Sequence, residues 1–546
     1  MNKTALKDKC SFLEERVKSL NEIGLALSRE DDTDVILELI MEEARKITHA
    51  DGRTLYMKSD DGKTMNFAIL RTDSTNTVMG GTSSTEITFP PIQLYDNKGK
   101  ANMNHINTYV AHTGETLNIK DAYKEKGFDF SGTQSIDKSS GYRSESFLNV
   151  PLKNHEDDII GVMQLLNSID QKTGKVQSFT SEMQELVESL SSQAAVALTN
   201  KRLIAQQKKL FESFIKLIAT AIDKKSPYTG DHCERVPKIA MLLADAVEKT
   251  TEGKYKDFFM TKDERYELYI AAWLHDCGKV ATPTHIVDKA TKLETITDRI
   301  ETIDTRFEVI KRDIEISMLK KQIQIMKNEP LDNSMDKLKS EYVEDLAQLD
   351  NENKFIRKAN RGGESMEEED QKRVAEIGNK TWILDGTEIP FLDETDVRNL
   401  QIPKGTLLPE EREIINEHIV ITIEMLEKLP YPKKLKNVPE FAGGHHEKLN
   451  GTGYPKGLKD EDLSIQAKIM AIADIYEALT ATNRPYKDGN KLSEAMEIMC
   501  RMKKNHEIDK DLFDIFIRKG VYKKYADSYV GTDQIDEVDE TSLLGQ

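Results

Sequence analysis

A chain of 546 residues is too long for one hydrophobic core, and its length suggests about three or four folding units. The balance of 77 basic against 95 acidic residues leaves a formal charge of −18, which argues against a nucleic-acid or membrane-surface binder because no global positive field draws phosphates in. Four scattered cysteines without CxxC spacing exclude a disulfide framework or zinc ribbon; with no signal peptide in MNKTALKDKC and no apolar run near the roughly 18 residues of a membrane span, a reduced, cytoplasmic protein is expected.

Leu13, Val17, Leu20 and Leu27 form a helical stripe, and an N-terminal helix is expected over 1–22. Between about 50 and 170 the texture changes to short runs broken by Gly, Asn and Asp: GRTLYMKSDDGKTMNFAIL, SESFLNVPLKN and DIIGVMQLLNSID. These predict a mostly antiparallel sheet with helices beside it, an α+β unit over 23–200. From Ser181 to Ala221 there is neither proline nor glycine, and Leu186, Leu190, Ala197, Ile204, Phe211, Phe214 and Ile218 recur at helical spacing. One long helix over 181–221, about 60 Å at 1.5 Å per residue, is predicted. Its first half suits packing on its own domain. The stretch NKRLIAQQKK in its middle suits an exposed connector, paired with a second copy in a parallel homodimer.

Beyond residue 223 the chain reads as helical. Ile296, Ile300, Ile303, Phe307, Ile310 and Ile314 step alternately by four and three with charges of both signs between them, a coiled-coil pattern. NEPLDNS reads as a turn, Met335, Leu338, Tyr342, Leu346 and Leu349 begin a returning helix, and RGGESMEEED is a flexible acidic break. The expected fold class is multidomain: an α+β domain with an antiparallel sheet, a long connecting helix, and an all-α domain over 212–290 and 406–522. An inserted antiparallel helical hairpin with a short irregular appendix, over 291–405, interrupts the last and offers a place for a protein partner. The acidic tail over 523–546 is expected to be partly disordered.

Metal and acid–base chemistry collects in the all-α domain. In LYIAAWLHDCGKV an apolar helix ends in His275 and Asp276, and a buried imidazole and carboxylate need partners because an unpaired buried charge is costly. A divalent metal satisfies both, and the aspartate has two oxygens with which to bridge two metals; taken alone, an ordinary capped core histidine accounts for the pair as well. TGDHCERV puts His232 on the first turns of a helix and EREIINEHIVITIEML puts His418 on an amphipathic one, where each by itself reads more simply as an ordinary histidine. In HHEKLNGTGYP, His445 and His446 are adjacent; on a helix their side chains diverge by about 100° and suit two different metals. QAKIMAIADIYEALTA sets Asp474 inside an apolar run suited to burial. Imidazole and carboxylate without thiolate suit iron, manganese or zinc in a two-metal site, the kind of centre that clamps phosphate esters. Cys233 and Cys277 flank these positions as packing residues.

The ordered set SPYTGDHCERV, HDCGK, HHEKLNGTGYP and ADIYEALTATNRPYK resembles the HD-GYP phosphodiesterases, which hydrolyse the second messenger cyclic di-GMP. The resemblance covers about 212–290 and 406–522. It implies hydrolysis of cyclic di-GMP to linear pGpG or GMP at two divalent metals, iron first and manganese or zinc otherwise. It makes His232, His275, Asp276, His418, His445, His446 and Asp474 the ligands, with Asp276 bridging and, with Lys279 beside the scissile phosphate, catalytic. Gly453, Tyr454 and Pro455 would shape the guanine pocket, and Arg484 and Lys487 would bind phosphate. Three departures stand out: Tyr228 where some members carry a third-metal glutamate, Glu477 for the usual aspartate, and the insertion itself. They keep open a phosphodiesterase for 3′,3′-cyclic GMP-AMP or another nucleotide, and a catalytically inactive cyclic di-GMP receptor. Residues 23–200 resemble a GAF domain through DGRTLYM, TLNIKDAY and SGYRSESFLNVPLKNHEDDIIGVMQLLN, which implies a sensory domain regulating the catalytic one. Of the cyclic-nucleotide signature Asn167 and Phe179 are present, while Ser168 and Met183 stand for its lysine and aspartate. The ligand of this domain is unidentified, and dimerisation alone is the other reading.

Overall fold

The computed structural model describes residues 32–226, 231–327, 334–362, 365–482 and 489–545, with Gly24, Ala26 and Glu30. The helix expected over 1–22, the NEPLDNS turn through residue 333, and Tyr228, Arg484 and Lys487 lie outside these. The chain divides into two compact units, 1–210 and 211–546.

In the first unit, helix α1 (Thr33–Thr48) starts where the Asp32 carboxylate accepts from the Asp34 amide. Among the described residues eight strands follow: β1 (Ala50–Lys58), β2 (Thr64–Thr72), β3 (Thr77–Gly80), β4 (Ile92–Gln93), β5 (Leu117–Ile119), β6 (Phe147–Lys153), β7 (Ile159–Ile169) and β8 (Val176–Gln177). They form one antiparallel sheet in the order β3-β2-β1-β7-β6-β5, with β4 on β2 and β8 on β7. Strand alternation serves two cores. Leu55, Met163 and Leu165 face α1 and the start of the connecting helix, while Tyr56 and Val162 turn to the other side, against Val110 of α2 (Ile106–Thr113). Both retained signature positions are used internally. Asn167 accepts from the Glu145 and Ser146 amides and donates to the Tyr142 hydroxyl and the Arg143 carbonyl, and Phe179 is core.

The connecting helix α3 runs Ser181–Lys225, one turn beyond the expected end. Val187, Leu190, Ala194 and Leu198 are buried in the first unit's core, and Ile215, Ala219 and Ile222 in the second's. Between and opposite them Leu203, Leu210, Phe214 and Leu217 stand exposed.

The second unit is helical, as read. Helix α4 (His232–Glu248) packs against α5 (Lys262–Leu274), which opens with a Thr261–Glu264 capping box. After the insertion come α10 (Pro409–Glu427), α11 (Val438–Gly443), α12 (Ile465–Thr480), α13 (Leu492–Lys504), α14 (Lys510–Arg518) and α15 (Val521–Tyr529), numbered to leave α6–α9 for the insertion. The tail is not loose. Its acidic residues act as caps and pair partners: Asp536 accepts from the Ser493 amide and hydroxyl, and Glu540 pairs with Lys523. Gln534 donates to the Thr480 and Asn490 carbonyls, and Leu543 is buried, so the domain continues to about residue 545.

The insertion is the expected antiparallel pair, α6 (Ile300–Lys327) against α7 (Ser334–Asn360), held by Asp304 with Arg357 and Lys311 with Asp350. Two expectations fail. Ile296 precedes the helix and is exposed, because the chain is still in the turn that leads into Ile300. The appendix is also not irregular. It folds as α8 (Glu368–Gly378), a hairpin of β9 (Thr381–Leu384) and β10 (Thr387–Pro390), and α9 (Glu394–Leu400). The hairpin turns at Asp385-Gly386, both at positive φ, as a tight two-residue turn requires. Ile303, Phe307, Leu349, Ile356, Val374, Phe391 and Leu400 make its separate core. Its two ends meet. The Thr406 hydroxyl donates to the Lys289 carbonyl, and the buried Lys289 ammonium bonds Glu411 and Asn399.

Candidate metal centre

The seven side chains His232, His275, Asp276, His418, His445, His446 and Asp474 reach one buried space from five separate segments of the second unit. His232 is the first residue of α4. His275 caps the end of α5, and Asp276 leads into a 3-10 turn, Cys277–Val280. That turn lies under α10, which carries His418. A Cβ on Gly278 would sit 2.0 Å from the His418 carbonyl oxygen, so only glycine fits there. The Gly278 amide donates to Thr422, one turn beyond His418. Asp474 comes from the middle of α12. His445 and His446 are not on a helix, contrary to expectation: α11 ends at Gly443 and both sit in the turn after it. Their rings are 4.2 Å apart and inclined by 38°, so both turn into the same space instead of diverging.

Asp276 is the hub. Its Oδ2 lies 3.1 Å from His232 Nε2 and 3.2 Å from His275 Nε2, and its Oδ1 lies 3.2 Å from His418 Nε2 and 4.0 Å from His445 Nε2. Asp474 Oδ1 adds a contact of 3.2 Å to His232 Nε2 and 3.8 Å to His275 Nε2. Among the described residues two groups have the spacing to hold an ion: His232, His275 and Asp276, and His418, His445 and His446. Lys279 stands beside them with its ammonium 2.6 Å from Asp276 Oδ2.

Hydrogen bonding decides which ring nitrogens face the cavity. The Nδ1 atoms of His275, His418 and His445 each lie within hydrogen-bond distance of the carbonyl three residues earlier, on Ala272, Ile415 and Ala442. His232 Nδ1 lies 2.5 Å from Glu477 Oε2. With the proton on Nδ1, each Nε2 presents a lone pair inward. His418 Nε2, His445 Nε2 and Asp276 Oδ1 are buried without a hydrogen-bond partner. Orphans of this kind cost about 1–3 kcal/mol each. Three of them turned on one space fit divalent cations, and the residues present suit the metals their chemistry suggested.

The electrostatics agree for both carboxylates and for His445 and His446. Burial would raise the Asp276 carboxyl, but Lys279 and His275 beside it outweigh that and hold it well below the usual carboxylate range. Burial opposes Asp474 likewise and is overcome by His232 and His445, so it too stays ionised. Burial, with its histidine neighbours, drives His445 well down, and burial pushes His446 down to about 4, so both rings are neutral as ligation requires. His232 is the exception: burial disfavours its charged form, yet Glu477, Asp276 and Asp474 hold its pKa well above the ordinary value, so this ring would have to release a proton to hold a cation.

Beside these groups the Tyr454 ring stacks on His446 at 4.8 Å and 22°. A Cβ on Gly453 would meet the Lys448 amide nitrogen at 2.2 Å, so the loop closes tightly on itself. Glu447, passed over in the sequence, is buried and accepts from the Lys456 and Leu458 amides, which fixes that loop. Its signal was its place directly after the two histidines. Thr422 was also missed, although it follows His418 by one turn on the same face. Glu477 was noted only as a departure; one methylene longer than aspartate, it reaches His232 and also lies 3.6 Å from Arg235.

A GAF domain family model matches residues 32–198, and HD domain models match 229–361 and 395–512. The chain therefore carries a GAF domain followed by HD domains. It is 42% identical over 81 residues to a 3′3′-cGAMP-specific phosphodiesterase 1 of Vibrio cholerae, covering 15% of this chain and 19% of that protein. It is 38% identical over 116 residues to a cyclic di-GMP phosphodiesterase of Thermotoga maritima, covering 20% and 31%. It is 32% identical over 115 residues to a dual 3′,5′-cyclic-AMP and -GMP phosphodiesterase 11A of Takifugu rubripes, covering 21% and 12%. The chain thus spans less than a third of these relatives. HD domains are metal-dependent phosphohydrolases, and the two groups around Asp276 are this chain's candidate metal-binding residues.

Proposed function

We propose that this protein is a metal-dependent phosphodiesterase that hydrolyses cyclic di-GMP to linear pGpG or GMP under the control of its GAF domain. One observation carries the reading: the two oxygens of a single buried carboxylate, Asp276, face two separate histidine groups. His232, His275 and Asp474 would hold one ion, His418, His445 and His446 the other, and Asp276 both. Iron suits this thiolate-free set first, manganese or zinc next. Bound there, two ions supply an activated water and Lewis acidity at phosphorus. The chain's own groups do the rest. Lys279 keeps its charge, since the attraction of Asp276 exceeds the opposing effect of burial, and that ammonium neutralises charge building on the phosphoryl oxygens. Arg484 and Lys487 are assigned the flanking phosphate oxygens. The loop Gly453, Tyr454 and Pro455 brings backbone and an aromatic face to the guanine base. Glu477 and the three backbone carbonyls orient the imidazoles. The second reading, 3′,3′-cyclic GMP-AMP as substrate, is favoured by a relative's name and by the same chemistry, because both ligands are cyclic dinucleotides with 3′,5′ linkages.

The same reading makes the chain a cytoplasmic parallel homodimer through α3. Val196, Leu203, Leu210 and Leu217 are exposed at intervals of seven, with Asn200, Gln207 and Phe214 at the alternate seam positions. Leucine at one seam position and a single asparagine at the other favour two parallel strands in register. Among the described residues no helix is long and apolar enough to cross a membrane. The insertion remains the proposed surface for a protein partner.

The test is anaerobic purification, metal analysis, and parallel incubation with cyclic di-GMP and cyclic GMP-AMP, with Asp276→Ala as control. Two metals per chain and cleavage lost in the variant are expected. Two metals with cleavage of neither ligand would replace the enzyme by a receptor.

A further inference from the structure

The last turn of α3 holds the candidate metal centre from behind. The Lys225 ammonium donates to three carbonyls, those of Lys279 at 3.1 Å, Val280 at 2.6 Å and Thr282 at 2.6 Å. These belong to the 3-10 turn and its exit, the segment that follows Asp276 directly. Two residues earlier on the same helix, the buried Asp223 carboxylate accepts from the Cys233 amide at 3.4 and 3.2 Å, the peptide next to His232. The Ser226 hydroxyl closes the turn onto Asp288. A single helical turn therefore grips the backbone on both sides of the His232–His275–Asp276 group. The charged donor shared among carbonyls at a helix C-terminus makes a strong attachment, and the helix dipole favours it. Ile222 on the same turn is buried in the unit's core with Cys233 and Cys277, so apolar packing accompanies these polar bonds.

We propose that Lys225, with Asp223, is a positioning pair through which the connecting helix sets the geometry of the His232–His275–Asp276 group. A shift or rotation of α3 then changes the spacing of that group. The inference deepens the reading above and rests on it: it supplies the step by which a sensory domain reaches the reaction. It needs no ligand to enter the catalytic unit and no motion of α10.

The experiment uses the full chain loaded with cobalt(II), as wild type, Lys225→Met, Lys225→Arg and Lys224→Met, the last an exposed neighbour on the same turn. Lys225→Met is expected to release cobalt to excess chelator about fivefold faster or more, as loss of outer support for a ligand set does. Its kcat for cyclic di-GMP should fall roughly tenfold with KM within about twofold, the pattern of misplaced reacting groups with intact binding. Lys225→Arg, which can still donate to several carbonyls, should recover most of both, and Lys224→Met should match wild type. If Lys225→Met does not fold, Asp223→Asn carries the same test with the same expected direction. Unchanged release and unchanged kcat in a folded Lys225→Met overturn the proposal, as does an equal effect of Lys224→Met. If wild type cleaves neither cyclic dinucleotide, the assigned reaction fails, while the cobalt-release comparison still decides the positioning role.

Discussion

Gly278 is where α10 comes nearest the turn that carries Asp276, and Gly278→Ala tests whether that approach builds the centre. The new Cβ would stand 2.0 Å from the His418 carbonyl oxygen and 2.6 Å from the Thr422 amide nitrogen, where ordinary contact begins near 3.4 Å. Both obstacles are backbone, so no flexible side chain can yield, and turn and helix must separate by roughly 1 Å, since packed interiors do not absorb the overlap. Asp276 Oδ1 and His418 Nε2, now 3.2 Å apart, lie on opposite sides of that separation. Overpacking of this kind costs about 1–3 kcal/mol. For a unit spanning 211–546 that lowers the melting temperature by about 1–4 °C. Turnover is more sensitive, since a displacement of about 1 Å costs roughly 100-fold. Metal analysis should find the His418–His445–His446 group depleted, close to one ion per chain instead of two. Thr422→Val is the control: it removes the acceptor for the Gly278 amide at 2.9 Å without adding bulk, costing about 1–3 kcal/mol while both ions stay. A Gly278→Ala protein with two metals and turnover within about twofold of wild type would refute the reasoning, because separation at this point would then not matter to the shared carboxylate.

Three further outcomes follow from the same geometry. Lys292 is buried at the root of the insertion with the Leu400 and Ile402 carbonyls as acceptors, and burial lowers its pKa to about 8. Its unfolded form binds more protons between about pH 8 and 10.4, so stability rises with pH across that window by up to about 3 kcal/mol; urea midpoints at several pH values should show this slope in wild type and lose it in Lys292→Met. Joining Ala290 to Thr406 by a two-glycine link should leave a folded catalytic unit with its metals, because the Thr406 hydroxyl already bonds the Lys289 carbonyl at 2.9 Å; loss of metal from the shortened chain would show the insertion to be part of the centre. Leu203→Glu with Leu210→Glu, at positions 43% and 58% exposed, should turn a dimer into a monomer in light scattering with little change in melting temperature, and a mass unaffected by both changes would remove α3 as the seam.

The strands around 50–72 and 147–169 were legible because alternation is a local property, and α3 because nothing in 181–221 interrupts a helix. The convergence of His232, His275, Asp276, His418, His445 and His446 was legible only through motifs, since no local rule brings residues as far apart as Asp276 and His445 together. What the sequence hid was tertiary. His445 and His446 are short of helical context because α11 stops at Gly443, and a dipeptide does not reveal where its helix ends. The tail reads as acidic and therefore loose, yet its charges have defined partners on α13 and α15. The appendix of the insertion lacked a long periodic stretch, so its core of Val374, Phe391 and Leu400 became visible only once packed against Ile303 and Phe307. Lys225 carries no signal at all, because a lysine at a helix end is ordinary until one sees whose carbonyls it holds.

The meeting of the insertion's two ends has a mechanical consequence. A body fixed at neighbouring points can tilt only about that fulcrum, and α6, with 28 residues, is an arm about 42 Å long. The fulcrum includes Lys289 and Glu411, and Glu411 lies on α10 two turns before His418, about 10 Å along the same axis. A weight settling on the far end of the arm would thus be felt as torque on α10, with a mechanical advantage of about four. The insertion is thus anchored on α10, the helix that also carries His418 of the second histidine group.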